Sequence, residues 1–137
     1  MIIDSSAVLA VVGREPGHER IVHELAASTG TRIGAPTQLE TGIVLMARLG
    51  PRGRTVLARL LQENAIQTVA FDEGHAAVAL DAYSRFGKGR HSAALTFGDC
   101  CTYATASIAG EELLCVGNDF RHTDLPLVRL DDVDDSG

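Results

Sequence analysis

The chain has 137 residues, of which 45% are apolar and 4% aromatic, with no tryptophan. This length and composition predict one globular domain with an aliphatic core and exclude a disordered or fibrous chain. The formal net charge of −6 argues against a protein that binds nucleic acid through a basic surface alone, although acids that hold cations add negative charge themselves.

The first half of the chain alternates short apolar runs with amphipathic segments. The apolar run at 1–3 predicts a buried strand, and Asp4-Ser5-Ser6 after it is a helix start signal. The remaining pattern predicts helices at 7–12 and 15–27, a strand at 31–34, helices at 36–49 and 52–64, and a strand at 66–71.

The second half continues the alternation. It predicts a helix at 73–86, a basic glycine-rich loop at 87–92, a helix at 98–108, a strand at 113–116 and a last strand at 127–130. Such alternation indicates an α/β fold around a parallel sheet. We expect one domain over 1–130 and a disordered acidic tail at 131–137, where four aspartates crowd the chain end.

Three cysteines, Cys100, Cys101 and Cys115, show no disulfide spacing. No basic leader precedes the first apolar run, and no apolar run approaches the ~20 residues that a membrane span needs. We therefore expect a reduced, cytoplasmic protein that does not cross a membrane.

Three acids, Asp4, Asp99 and Asp119, fall at predicted strand ends or helix starts, and Glu40 lies one turn inside its predicted helix. In a parallel sheet, ligands bind outside the carboxyl ends of the strands, so four separate elements could deliver carboxylates to one edge. Clustered carboxylates repel one another unless a cation neutralises them. The pattern predicts a site for Mg²⁺, or Mn²⁺, since these hard ions prefer oxygen ligands.

Each acid also has a structural interpretation. Asp4 could only cap the first helix, and Asp99 could be an N-cap or first-turn acid that interacts with the helix dipole. Thr37 and Glu40 match a capping box, in which the glutamate turns back to the backbone. Asp119 could be a turn residue after Gly117-Asn118.

Two further points stay open at this stage. Asp124 is an alternative to Asp119 as the fourth acid. The loop before the Asp99 helix carries Lys88, Arg90 and His91, which we predict to hold an RNA backbone, with a solvated surface loop as the alternative.

Four stretches carry a resemblance to a known family: IIDSSA at 2–7, TQLE at 37–40, FGDC at 97–100 and GNDF at 117–120. In order and spacing they resemble the PIN-domain ribonucleases, and within them the VapC toxins of toxin–antitoxin pairs. The resemblance covers nearly the whole chain. It departs at Cys100, where the family often has a small alanine.

The resemblance implies a three-layer α/β/α sandwich and a Mg²⁺-dependent endoribonuclease toxin. Metal-activated water would hydrolyse RNA phosphodiester bonds, leaving a 5′-phosphate and a 3′-hydroxyl. Cleavage of tRNA or rRNA would inhibit translation. The implied partners are a cognate VapB-like antitoxin, which would reach the acids with an arginine, and a second copy of the chain in a homodimer.

The resemblance also implies six site positions. They are the catalytic acids Asp4, Glu40, Asp99 and Asp119 and the supporting residues Ser6 and Asn118. Asp4 and Asp99 would be the direct metal ligands, while Glu40 and Asp119 would complete the acidic pocket, partly through water. The hydroxyl of Ser6 would lie near the metal.

Two other functions are weighed against this one. A catalytically inactive PIN-like module that only binds a protein partner would have lost one or more acids, and all four are present. A phosphatase-like or response-regulator-like domain would need paired acids in early strands, a layout that the sequence lacks. The apolar segments 8–12 and 43–49 are predicted to pack in the core, with part of them available for a dimer interface.

Overall fold

Short strands alternate with helices along the chain, which this computed structural model describes at residues 1–87, 89 and 93–130. The strands are β1 Ile2–Ile3, β2 Arg32–Gly34, β3 Gln67–Val69 and β4 Leu113–Leu114. The helices are α1 Ser5–Val12, α2 His18–Ala27, α3 Ala35–Leu49, α4 Arg52–Glu63, α5 Glu73–Phe86 and α6 Phe97–Ala109. Ten of the predicted elements are therefore present, with ends shifted by a few residues.

The four strands form one parallel sheet in the order β3-β2-β1-β4. Strand β1 is central: Ile2 pairs with Arg32 on one side and with Leu113 on the other. The first strand of the chain thus lies beside the last. Because β1 and β4 are parallel, Asp4 and the residues after Leu114 leave the sheet at the same edge, as predicted.

The sheet divides the core into two apolar layers, because successive strand side chains point to opposite faces. On one face Ile3, Ile33 and Leu114 pack against α1 to α4. On the other face Ile2 and Leu113 pack against α5 and α6. This arrangement confirms the α/β/α sandwich that the resemblance implied.

The predicted strand at 127–130 is wrong as a strand. The structure has only an isolated parallel bridge between Leu113 and Leu127 at this position. The backbone of Val128 also donates to the carbonyl of Leu113, so the segment follows β4 without forming a ladder. The acidic tail at 131–137 lies outside the described residues, and its disorder stays a prediction.

The capping box predicted at Thr37 and Glu40 is also wrong. Helix α3 begins three residues earlier than that box requires, after Gly34, which makes no side-chain cap. Thr37 is instead buried inside the fold. A proline in the first turn starts α3, since its fixed φ suits a helix N-terminus and it lacks an N–H that would need a partner.

The two segments considered for a dimer interface differ in burial. In α1, Val8 and Ala10 are buried core residues. In α3, Leu45 is buried, whereas Ile43 and Met46 are exposed. Among the helices of the described residues, none has the length and apolar character to span a membrane.

Candidate active site

Asp4 stands at the end of β1 and caps α1, and its carboxylate is buried. Its Oδ2 accepts the backbone N–H of Ser6 at 3.1 Å and the Ser6 hydroxyl at 2.6 Å. Its Oδ1 accepts the hydroxyl of Thr102 at 2.9 Å. Asp4 is therefore a helix cap as well as a candidate ligand. An ionised carboxylate has about four acceptor positions, so one remains on Oδ1 for a further ligand.

Two buried threonines, Thr37 and Thr102, form a series of hydroxyl contacts that ends at the Asp4 carboxylate. The Thr102 hydroxyl lies 2.9 Å from that of Thr37, and both residues are buried. This contact ties α3 and α6 to the end of β1. The sequence analysis missed both threonines as site residues. The signal for Thr102 was its position three residues after Asp99, which places the two side chains on one face of α6.

Asp99 lies in the first turn of α6 and forms a capping box with Thr96. This is the motif that the sequence analysis considered for Thr37 and Glu40 in α3, where it does not form. The Asp99 Oδ2 accepts the backbone N–H of Thr96 at 3.1 Å, and the Asp99 N–H donates to the Thr96 hydroxyl at 3.4 Å. Burial raises the pKa of the Asp99 carboxyl, and the negative charges of Asp119 and Asp4 raise it further. Asp99 is thus close enough to both acids to be repelled by them.

Glu40 approaches the same place from α3. Its side chain is not held in a capping box, and its carboxylate lies against the Cα of Gly98, where a Cβ would overlap it. The absence of a side chain at Gly98 therefore lets Glu40 reach the residue next to Asp99. The negative charge of Glu40, after burial, also raises the pKa of the Cys101 thiol.

Asp119 reaches the pocket from the loop after β4. Gly117 has φ +93°, a left-handed conformation that glycine adopts without steric cost, and it turns the chain toward the pocket. The pKa of the buried Cys115 thiol is raised to about 12 by desolvation and by the charges of Asp4, Asp119 and Asp99. Three of the acids thus act on one thiol at the end of β4.

Asp124 lies elsewhere and is no alternative to Asp119. Its carboxylate accepts the Tyr103 hydroxyl at 2.5 Å and the Arg85 guanidinium at 3.1 Å. These two partners lower the pKa of Asp124, in contrast to the raised pKa of Asp99. Asp124 therefore joins α5 and α6 to the C-terminal segment. Asp72 is the N-cap of α5, where its side chain accepts the backbone N–H groups of Gly74 and His75.

The supporting residues have unequal contacts with the acids. Ser6 donates to Asp4 and accepts the backbone N–H of Val116 at 2.9 Å, which joins the loop after β4 to the first turn of α1. Asn118 is exposed, and its Oδ1 lies 3.5 Å from the Arg121 guanidinium that donates to it. The predicted RNA contacts Lys88, Arg90 and His91 lie outside the described residues.

The donor set of this acidic pocket, defined by Asp4, Glu40, Asp99 and Asp119, suits a hard divalent cation. In the described part of the chain, no lysine, arginine or histidine forms an ion pair with any of these acids. Within the same residues, no three acidic, histidine or cysteine side chains are close enough to enclose an ion. The individual carboxylate oxygens are of the type that Mg²⁺ prefers, and that ion commonly keeps several of its waters.

Comparison with known proteins gives a consistent result. A family model described as the PIN domain matches residues 1–125. The chain is 49% identical over 126 residues to ribonuclease VapC36 of Mycobacterium tuberculosis, covering 91% of each protein.

Solved structures agree at the level of the fold. The fold is similar to the structure of VapC20 of Mycobacterium tuberculosis, described as a sarcin–ricin loop cleaving toxin (TM-score 0.76, 18% identity, 93% of this chain and 98% of that one). It is also similar to a chain in a toxin–antitoxin complex from Klebsiella pneumoniae (TM-score 0.70, 16% identity, 96% and 98%).

Proposed function

Since the chain belongs to the PIN domain family, we propose that it is a metal-dependent endoribonuclease and the toxin of a toxin–antitoxin pair. The observation that carries the proposal is the mutual repulsion of Asp99, Asp119 and Asp4, for which the described residues supply no cation. A relative named as a ribonuclease, 49% identical over most of the chain, supports RNA as the substrate.

The acids have distinct roles in this proposal. Asp4 and Asp99 would hold Mg²⁺, or Mn²⁺, through the oxygens that their internal hydrogen bonds leave available. Glu40 and Asp119 would complete the pocket and orient water within it. When bound, the divalent ion would supply positive charge to the scissile phosphate and lower the pKa of a water molecule.

Positioning of Asp4 is central to the chemistry. Ser6 and Thr102 fix its carboxylate by three hydrogen bonds, so it need not reorganise when a ligand arrives. Asp99 is fixed in the same way by Thr96. Without a cation these acids would repel a phosphodiester, so metal and RNA are expected to bind together. The products would be a 5′-phosphate and a 3′-hydroxyl.

The partners follow from the family. We propose a cognate VapB-like antitoxin, supported by the similarity to a chain in a toxin–antitoxin complex, and a homodimer, for which α3 leaves Ile43 and Met46 exposed. A target in tRNA or rRNA would inhibit translation, so the toxin would act in the cytoplasm. The presence of all four acids in the sequence favours this function over the catalytically inactive module.

The test is RNA cleavage by the purified chain with Mg²⁺, with Mn²⁺ and with EDTA, for the natural sequence, Asp99→Asn and the control Asp81→Asn. Asp81 is an exposed aspartate on α5, so its variant makes the same chemical change away from the pocket. We expect cleavage that needs the metal, survives Asp81→Asn and is lost in Asp99→Asn. Cleavage that persists in EDTA and in Asp99→Asn would overturn the proposal, as would no cleavage of any cellular RNA.

A further inference from the structure

A polar groove of about 500 Å³ lies beside the acidic pocket. Its walls are the turn before α2, the loop 116–118 and the segment 127–130. Two cationic side chains, Arg121 and Arg129, line it together with Asn118. We call this cavity the arginine groove.

The arginine groove and the acidic pocket share a wall. Cys115 lines the groove, and its thiol is close enough to Asp4, Asp99 and Asp119 for their charges to raise its pKa. Val116, the next groove residue, donates its backbone N–H to Ser6 beside Asp4. A molecule that fills the groove therefore reaches the edge of the acidic pocket.

The two arginines are available for an anion. Both are exposed, and within the part of the chain that the structure describes neither forms an ion pair with a carboxylate. Other arginines, such as Arg32 and Arg85, do have carboxylate partners. The Arg121 guanidinium donates to Asn118 Oδ1 at 3.5 Å, an uncharged acceptor that orients the guanidinium without neutralising it.

We propose that the arginine groove binds two backbone phosphates of the RNA next to the scissile one, one at each arginine; this inference rests on the proposed function. Guanidinium groups match the geometry of phosphate oxygens and pair with them through two hydrogen bonds. The chain has a net charge of −6 and an acidic pocket, so RNA must be held by local cations. Phosphate contacts of this kind position a nucleic acid without reading its sequence.

The effect on binding can be derived from counterion release. Each phosphate contact on a single strand contributes about −0.7 to the slope of log K against log salt, so losing two contacts changes the slope by about 1.4. If the two proteins bind RNA equally at about 1 M salt, this difference in slope makes binding about tenfold weaker at about 0.15 M salt.

The experiment measures the binding of a single-stranded RNA at salt concentrations from about 0.05 to about 0.3 M. All proteins in this experiment carry Asp99→Asn, so that the RNA is not cleaved during the measurement. The variant is Arg121→Gln with Arg129→Gln. The matched control is Arg52→Gln with Arg59→Gln on α4, which changes the net charge equally. We expect the slope to fall by about 1.4 in the variant only.

Cleavage by the chain with Asp99 intact gives a second readout. The groove variant should raise KM about tenfold and leave kcat on bound RNA unchanged, because neither arginine belongs to the acidic pocket. An unchanged slope and KM would overturn the groove, and so would equal losses in the control, which would indicate a general charge effect. Either result leaves metal-dependent cleavage intact, whereas failure of the proposed function abolishes that cleavage in every variant.

Discussion

Replacing Gly98 by alanine should remove Glu40 from the acidic pocket without unfolding the protein. Gly98 is the second residue of α6, and a Cβ there would occupy the position of the Glu40 carboxylate. The obstacle is the end of a flexible, exposed side chain, so Glu40 can swing into solvent at little cost. The substitution therefore acts on the site by displacing a neighbour.

The magnitudes separate stability from activity. Alanine is favoured over glycine in a helix by roughly 0.5–1 kcal/mol, so the free energy of unfolding should be unchanged or slightly higher in Gly98→Ala. Loss of a carboxylate that supports metal ligands typically costs about 10–100-fold in affinity or activity. We expect a loss of that size in RNA cleavage.

The assay compares cleavage rates and urea unfolding for Gly98→Ala, Glu40→Gln and the double variant. The control is Gly74→Ala, because Gly74, like Gly98, is the second residue of its helix and lies inside a capping box. A Cβ at Gly74 would lie 3.2 Å from the Asp72 carboxylate and far from the pocket residues on α3 and α6. This control should keep full activity.

The double variant decides the mechanism. If Gly98→Ala acts through Glu40, it adds nothing once Glu40→Gln has been made, since the two changes remove the same interaction. Losses that multiply in the double variant would refute this reasoning, as would full activity in Gly98→Ala.

Three further predictions concern the supports of the pocket. Thr102→Val removes a hydroxyl bonded to Asp4 and should weaken Mg²⁺ binding about 10–100-fold by titration calorimetry. The control is Thr105→Val, one turn along the same buried face. The Thr105 hydroxyl donates to the backbone carbonyl of Cys101, so its loss should leave Mg²⁺ binding unchanged. Asp124→Asn should leave cleavage unchanged but destabilise the fold by about 1 kcal/mol at neutral pH. Because the folded pKa of Asp124 is lowered, this stability is present above the unfolded pKa and disappears as pH falls through the folded one; equal urea stability of the two proteins at neutral pH would contradict it. Asp99 has a raised folded pKa, so the metal-free protein should lose stability as pH rises through that pKa, and Asp99→Asn should not. Thermal unfolding between about pH 4 and 8 checks the sign, and added Mg²⁺ should raise the Tm of the natural sequence alone.

Element types were predictable because the local signals were strong. Asp72 before an alanine-rich segment marked the start of α5, and the buried isoleucines at 2–3 marked β1. The order of the strands in the sheet required a family resemblance or a structure. Hydrophobic periodicity identifies a strand but does not identify its neighbours.

Two site details were not predictable from local pattern. The spacing of Thr37 and Glu40 equals that of a real capping box, yet Pro36 and Gly34 move the helix start upstream, and burial of Thr37 removes its hydroxyl from the backbone. The same spacing at Thr96 and Asp99 does form the box. A motif of two residues cannot report which helix start the tertiary structure selects.

The support of Asp4 by Thr102 was equally hidden. The two residues are 98 positions apart, and the hydrogen bond between them exists only when α6 is packed on the sheet. The position of Thr102 three residues after Asp99 places the two side chains on one face of α6 but does not identify Asp4 as a partner. Asp119 and Asp124 could be separated only once Tyr103 and Arg85 were seen to hold Asp124.

The pairing of the first strand with the last has a consequence for biosynthesis. The acidic pocket takes its residues from positions 4, 40, 99 and 119, and β1 gains its second neighbour only when Leu113 and Leu114 have been made. A nascent or truncated chain that ends before β4 lacks one edge of its central strand and one acid of the set. The acidic pocket can therefore assemble only after nearly the whole chain has been synthesised, and a chain cut short by a premature stop codon before β4 cannot complete it.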